Sequence, residues 1–129
     1  MKSSTASVII GVLFLAVGLL GFIPNPIVGD SENVIFHADQ VHNIVHIASG
    51  ALFLLFGLAF PASAPGFMMF FGIVYLFLGV LGLINIGTSG EGKLLGFLHV
   101  NGADNLLHIG LGILIFLMAA IRPRATVRV

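Results

Sequence analysis

Polar positions divide this chain into four long apolar runs. Val8 to Ile23 carries no charge, and Pro24-Asn25-Pro26 ends it, because proline lacks an amide donor and restrains the residue before it. A second run extends from about Val41 to Phe60, a third from Phe67 to Ile86, and a fourth to Ile121. A membrane-spanning helix needs about 20 predominantly apolar residues, which predicts spans over 6–23, 40–60, 67–86 and 102–121. Pro61-Ala62-Ser63-Ala64-Pro65-Gly66 reads as a tight reversal, and a glycine-rich loop with Glu91 and Lys93 separates the last two spans. The expected fold is all-α: a polytopic membrane four-helix bundle forming one domain over 1–129.

The polar residues repeat. His37, Asn43, His46, Ile47 and Gly50 recur 62 positions later as His99, Asn105, His108, Ile109 and Gly112, an H-x5-N-x2-H-I-x2-G pattern present twice. Gly11, Phe14, Gly18 and Gly21 likewise recur 61 positions later as Gly72, Tyr75, Gly79 and Gly82. The pattern predicts two duplicated two-helix hairpins, about 6–60 and 67–121, related by an axis along the membrane normal. Lipid is as apolar as leucine, so helices associate through close packing. Gly11, Gly18, Gly21, Gly50, Gly72, Gly79, Gly82 and Gly112 are therefore read as packing positions, with room for a flat cofactor as the rival reading.

Composition sharpens the class and charge supplies a direction. Hydrophobic residues make up 58% of 129 positions and charged residues 8%, against about 45–50% and about 25% in soluble domains, so the chain belongs in a bilayer. It contains no cysteine, which excludes disulfides and thiolate sites, and no basic stripe for nucleic acid. Lys2, Arg122, Arg124 and Arg128 flank the outermost spans, while the connecting loops hold only Lys93. The positive-inside rule then predicts both termini in the cytoplasm of a bacterial inner membrane. All five acidic residues and all five histidines fall at the opposite side. The first segment resembles a signal peptide, but its counterpart in the second hairpin argues that it is retained.

The candidate site is the polar cluster His37, His42, Asn43, His46, His99, Asp104, Asn105 and His108. Asp39 and Asn101 are the expected N-caps of spans two and four. His46 and His108 then lie about two turns inside, where polar side chains should face the bundle rather than lipid. The two copies differ where His42 corresponds to Asp104. In one reading the cluster is a hydrogen-bonded lid, with Asp104 accepting from a histidine and the asparagines bridging across the axis. In a second, His42, His46, Asp104 and His108 hold a zinc-like divalent metal, since three imidazoles and a carboxylate suit that ion. In a third, His46 and His108 are axial ligands of a b-type haem, with Gly50 and Gly112 clearing room. No nucleophile elbow, P-loop, H-E-x-x-H or dinucleotide fingerprint is present, and no span carries the charged relay usual for transport.

The two motifs, with the opening Gly18 to Pro24, resemble a family of small four-span bacterial membrane proteins catalogued as a domain of unknown function. In that family they take the forms H-N-x-x-H-L and N-x-A-D-N-x-L-H-L, each followed by glycine; Ile47 and Ile109 stand here where leucine is usual. The resemblance implies the fold and an inner-membrane location and brings no activity. The residues are read as those of a non-enzymatic structural or interaction component needing no cofactor. The alternative is a metal- or haem-binding membrane protein. Expected partners are the lipid bilayer and other membrane proteins or a second copy of the chain.

Overall fold

A computed structural model describes residues 2–120. The predicted end of span four at Ile121 and the basic residues Arg122, Arg124 and Arg128 lie outside the described residues. Four helices, α1 (Ser3–Leu20), α2 (Gln40–Leu58), α3 (Ala64–Asn85) and α4 (Gly102–Ala120), form a bundle. All four are long and apolar enough to cross a membrane. Their outer faces carry large apolar side chains such as Leu13, Ile73, Phe77 and Leu114, as lipid contact requires.

Several boundaries differ from the sequence expectation. Helix α1 begins at Ser3 rather than residue 6 and α2 ends at Leu58 rather than residue 60, and proline explains two further shifts. Helix α1 stops at Leu20 rather than residue 23; Phe22 and Ile23 fold into a terminal turn, their amides bonding to Leu19 and Leu20 carbonyls at 3.2 and 3.0 Å. Ile23 precedes Pro24 and is driven out of the helical region. Helix α3 starts at Ala64, not Phe67, because Pro65 occupies its first turn, where the missing amide has no helical partner to lose. A single 3₁₀ turn, Pro61–Ser63, connects α2 to α3.

Helices α1 and α2 pack as an antiparallel hairpin through glycine, and α3 and α4 do the same. A Cβ added to Gly11 would lie 2.9 Å from the Gly50 carbonyl oxygen, and one on Gly50 would lie 2.8 Å from that of Gly11. In the other hairpin a Cβ on Gly72 would meet the Gly112 oxygen at 2.9 Å, and one on Gly112 the Gly72 oxygen at 2.7 Å. Gly18 faces the backbone at Asn43 and Ile47 as Gly79 faces that at Asn105 and Ile109. Backbones at this separation exclude any side chain. The close approach that membrane helices need is built here from paired glycines. Gly57 joins the same seam against Ser4 and Val8; it escaped the sequence reading because its counterpart in the second hairpin is Ala119.

Between the hairpins lies a core of Ile10, Phe14, Phe53, Met68, Tyr75 and Ile115. Phe14 and Tyr75, equivalent positions of the two hairpins, stack with ring centroids 5.1 Å apart. The loops at one end of the bundle are more structured than an all-α pattern foretells. Strand β1 (Val28–Gly29) pairs in parallel with β2 (Phe36–His37), and β3 (Glu91–Leu94) pairs antiparallel with β4 (Leu98–Asn101). Segments of two to four residues are too short to show a twofold polarity period, so the sequence left them as loop. Leu94, Leu98 and Val100 bury one face of the β3–β4 ladder against Val45, Leu78, Leu81 and Ile86. Its other face, bearing Glu91, Lys93, His99 and Asn101, points away from that core.

Candidate functional site

The caps set the site. The Asp39 carboxylate accepts from the amide of His42 at 2.9 Å and starts α2. Asn101 starts α4 in the same way, its Oδ1 accepting from the Asp104 amide at 2.9 Å. Asp104 returns the contact, with Oδ2 accepting from the Asn101 amide at 2.8 Å. This is a reciprocal capping box. The carboxylate predicted to serve a histidine or a metal is thus engaged with backbone.

From those caps His42 and His46 project one turn apart on the inner face of α2, and His108 projects toward them from α4. All three are buried, at 2%, 7% and 4% exposure. One ligating nitrogen from each lies within 4.8 Å of the others. Ring centroids are separated by 4.5 Å for His42 and His46, 5.7 Å for His42 and His108, and 6.3 Å for His46 and His108. Phe14 and Tyr75 form an aromatic floor, 5.7 Å from His46 and 5.6 Å from His108.

Hydrogen bonding distinguishes the three rings. His42 Nδ1 lies 2.8 Å from the His99 carbonyl oxygen. A carbonyl only accepts, so this nitrogen carries the proton and Nε2 keeps its lone pair. His46 Nδ1 and His108 Nδ1 are buried and have no hydrogen-bond partner among the described residues. The asparagines do not bridge the axis: the amide of Asn43 fills the space over Gly21, that of Asn105 fills the space over Gly82, and Asn105 Nδ2 donates to the Gly87 carbonyl at 3.0 Å. Gly50 and Gly112, below the histidines, face the backbones of α1 and α3 rather than open space.

His37 and His99 form a second layer beyond the caps. They meet with ring centroids 3.9 Å apart. His37 Nδ1 and His99 Nε2 lie 3.8 and 4.0 Å from the same oxygen, Glu91 Oε2. Burial first, then the neighbouring His99, holds the His37 imidazole below its ordinary pKa, against the pull of Glu91, Asp30 and Asp39. Glu91 drew no notice in the sequence beyond its charge; only the β3–β4 ladder returns it to the histidines. Asn25 was missed as well. Its amide donates to the carbonyls of Leu20, Ile23 and Val28 and accepts from the amides of Ile27 and Val28, all within 2.9 Å, which organises the first loop. Its place between two donor-less prolines was the available signal. Ser49, one turn below His46, accepts from Tyr75 Oη at 3.2 Å. A cavity of about 330 Å³ lies in the first loop, lined from Gly21 to Ser31, and includes none of the histidines.

The family described as a domain of unknown function (DUF4383) matches residues 4–121. The chain belongs to that family. Comparison with curated proteins and with solved structures returned no match. This DUF4383 chain is a multi-pass protein of four apolar helices, with a polar centre gathered at one end. Three buried imidazoles on two helices, one with its tautomer fixed by a backbone carbonyl, can offer three neutral nitrogen donors to one ion.

Proposed function

We propose that this chain is a non-enzymatic component of a bacterial inner membrane that holds a zinc-like divalent metal ion on His42, His46 and His108. The convergence of their ligand atoms within 4.8 Å carries the proposal. Zn–N bonds of about 2.0–2.1 Å put tetrahedral donors about 3.4 Å apart, so the rings draw together modestly on binding. A bound ion would give the buried imidazoles of His46 and His108 a partner, and where Nδ1 is the ligating atom it would satisfy the nitrogen left unpaired among the described residues. The carbonyl of His99 acts as the outer-shell acceptor that orients His42, as metal-bound histidines usually require. Asp104 supports the site by capping α4 and is not a ligand. A b-type haem has less support, because backbone fills the positions beside Gly50 and Gly112 where the ring would enter. The polar end faces outward and both termini lie in the cytoplasm, a reading supported by Lys2, Arg122, Arg124 and Arg128 at the termini and by five acidic residues opposite them. The duplicated motif supports descent of the two hairpins from one unit.

The test uses the full chain purified in detergent, stripped with chelator and titrated with Zn²⁺ and Co²⁺. Elemental analysis should find one tightly retained ion per chain, with tetrahedral Co²⁺ absorption. His46→Gln and His108→Gln should each abolish retention, and Asp104→Asn should keep it. Retention of no ion by the wild type, or equal retention by both histidine variants, would sink the proposal. A Soret band in the purified protein would replace zinc with haem.

A further inference from the structure

We infer that His37, His99 and Glu91 form a second, weaker binding site for the same class of divalent ion, through which the buried site is loaded. The inference rests on the three-histidine reading and extends it to how an ion arrives. The three ligand atoms of this outer set lie within 4.8 Å of one another, and His99 Nε2 is buried without a hydrogen-bond partner among the described residues. Both imidazoles face one carboxylate oxygen, at 3.8 and 4.0 Å.

The two sets are stacked and joined. The His99 carbonyl accepts from His42 Nδ1 at 2.8 Å, so the backbone of an outer ligand orients an inner one. Exposure falls in steps along this line: the side chain of Glu91 is 64% exposed, those of His99 and His37 are 25% and 10%, and the inner histidines are buried. A hydrated divalent ion gives up its water reluctantly. An exposed carboxylate with one partly exposed and one buried imidazole lets it shed part of its shell before it reaches three buried nitrogens. Asp30, Glu32 and Asp39 lie in the neighbouring loop and raise the local concentration of cations. Lys93 opposes them. It is the register partner of His99 and shares the ladder face with Glu91. Its ammonium weakens the hold of the outer set, which suits a site that must pass its ion on.

The experiment measures the rate of Co²⁺ uptake by stopped-flow absorption in stripped full-length protein, and then the amount retained at equilibrium. Wild type should load the inner site fully. His37→Ala and Glu91→Gln should reach the same final occupancy, but about tenfold more slowly or worse, the low end of what electrostatic focusing contributes to association. Lys93→Gln should strengthen the second, exchangeable binding event seen beyond one equivalent. Variants that load as fast as wild type would overturn the loading role while leaving the buried site standing. Loss of equilibrium retention in His37→Ala or Glu91→Gln, with the melting temperature unchanged, would overturn it too, by making those residues part of one site. If wild type takes up no Co²⁺, both proposals fall together.

Discussion

The hairpin α1–α2 and the hairpin α3–α4 solve the same packing problem with the same glycines and diverge at positions that matter to the centre. Gly11 against Gly50 repeats as Gly72 against Gly112, and Asn43 over Gly21 repeats as Asn105 over Gly82. Among the differences are His42 for Asp104, Phe14 for Tyr75, and Ser49 for Leu111. Positions held in common carry the close approach of backbones. Positions that differ set how many imidazoles each hairpin contributes to the centre, beside the shared His46 and His108. Asp104 and His42 show this most plainly, since both are the third helical residue after a cap. A carboxylate there reaches back to the cap amide and closes a capping box. An imidazole there leaves the cap with one contact, from its own amide to Asp39, and turns its ring to the carbonyl of the opposite loop. One hairpin therefore supplies two inward imidazoles and the other supplies one.

The shared positions should be the costliest to break. Gly50→Leu or Gly112→Leu places a side chain against carbonyl and amide groups that cannot retreat without separating the helices. Overpacking a core costs about 1–3 kcal/mol and occasionally more, and these sites should fall at the upper end. Thermal melting in detergent should show the two variants destabilised alike. A variant that melts with wild type would mean that its hairpin tolerates helix separation, and the equivalence of the two seams would be lost.

The loops have no such equivalence, so a change in one should stay there. Asn25→Ala removes five hydrogen bonds to the first loop, some at the exposed surface. Water replaces part of them, and about 1 kcal/mol per buried bond sets the scale, giving a loss of roughly 2–3 kcal/mol. Hydrogen exchange should rise over residues 21–39 and remain unchanged over 86–101. Equal loosening of both loops would show that they form one cooperative cover. The contact from Asn101 Nδ2 to the Ile35 carbonyl at 3.0 Å and the His37–His99 ring contact, with centroids 3.9 Å apart, are the links that would transmit it.

Most of the bundle was legible in the sequence because its signals are long or repeated. Four apolar runs gave four helices, and caps at Asp39 and Asn101 were recognisable from residue type alone. Boundaries slipped by three residues where proline acts on a neighbour, as at Ile23, or sits harmlessly in a first turn, as at Pro65. The histidines were named individually, but not their division into a buried trio and an outer pair. That division depends on β2 and β4, which bring His37 and His99 together above the caps. Such short strands leave no periodic trace. Asp104 stood among the candidate ligands because helix spacing places it near His108; the structure engages its Oδ2 with the cap amide, a role the spacing did not reveal.

The capping difference predicts a smaller effect. Asp104→Ala should cost about 1 kcal/mol, within the usual range for losing a helix-start contact, because Asn101 still caps α4 through its own oxygen. Asp39→Ala removes the capping contact of α2 and should cost as much or more. Melting of the two single variants checks the order. Should Asp104→Ala prove much the more damaging, its carboxylate has a partner beyond the cap amide, and the contrast between the two helix starts needs revision.

The smallest expected effect comes from Tyr75→Phe, which restores symmetry with Phe14. The substitution keeps the ring that stacks on Phe14 at 5.1 Å and touches His108 at 5.6 Å. It deletes only the hydroxyl that donates to Ser49 Oγ at 3.2 Å. Hydrogen bonds between membrane helices average about 0.6 kcal/mol, because the separated helices find other partners. Ser49 can also turn its proton toward a carbonyl in the preceding turn of α2, as serine in a helix commonly does. A loss of about 0.5 kcal/mol should follow, small enough that Tyr75→Phe with Ser49→Ala should be no worse than either alone. If the single variant loses several times that amount, or releases metal that wild type retains, then the Tyr75 hydroxyl belongs to the histidine centre and the aromatic floor is more than packing.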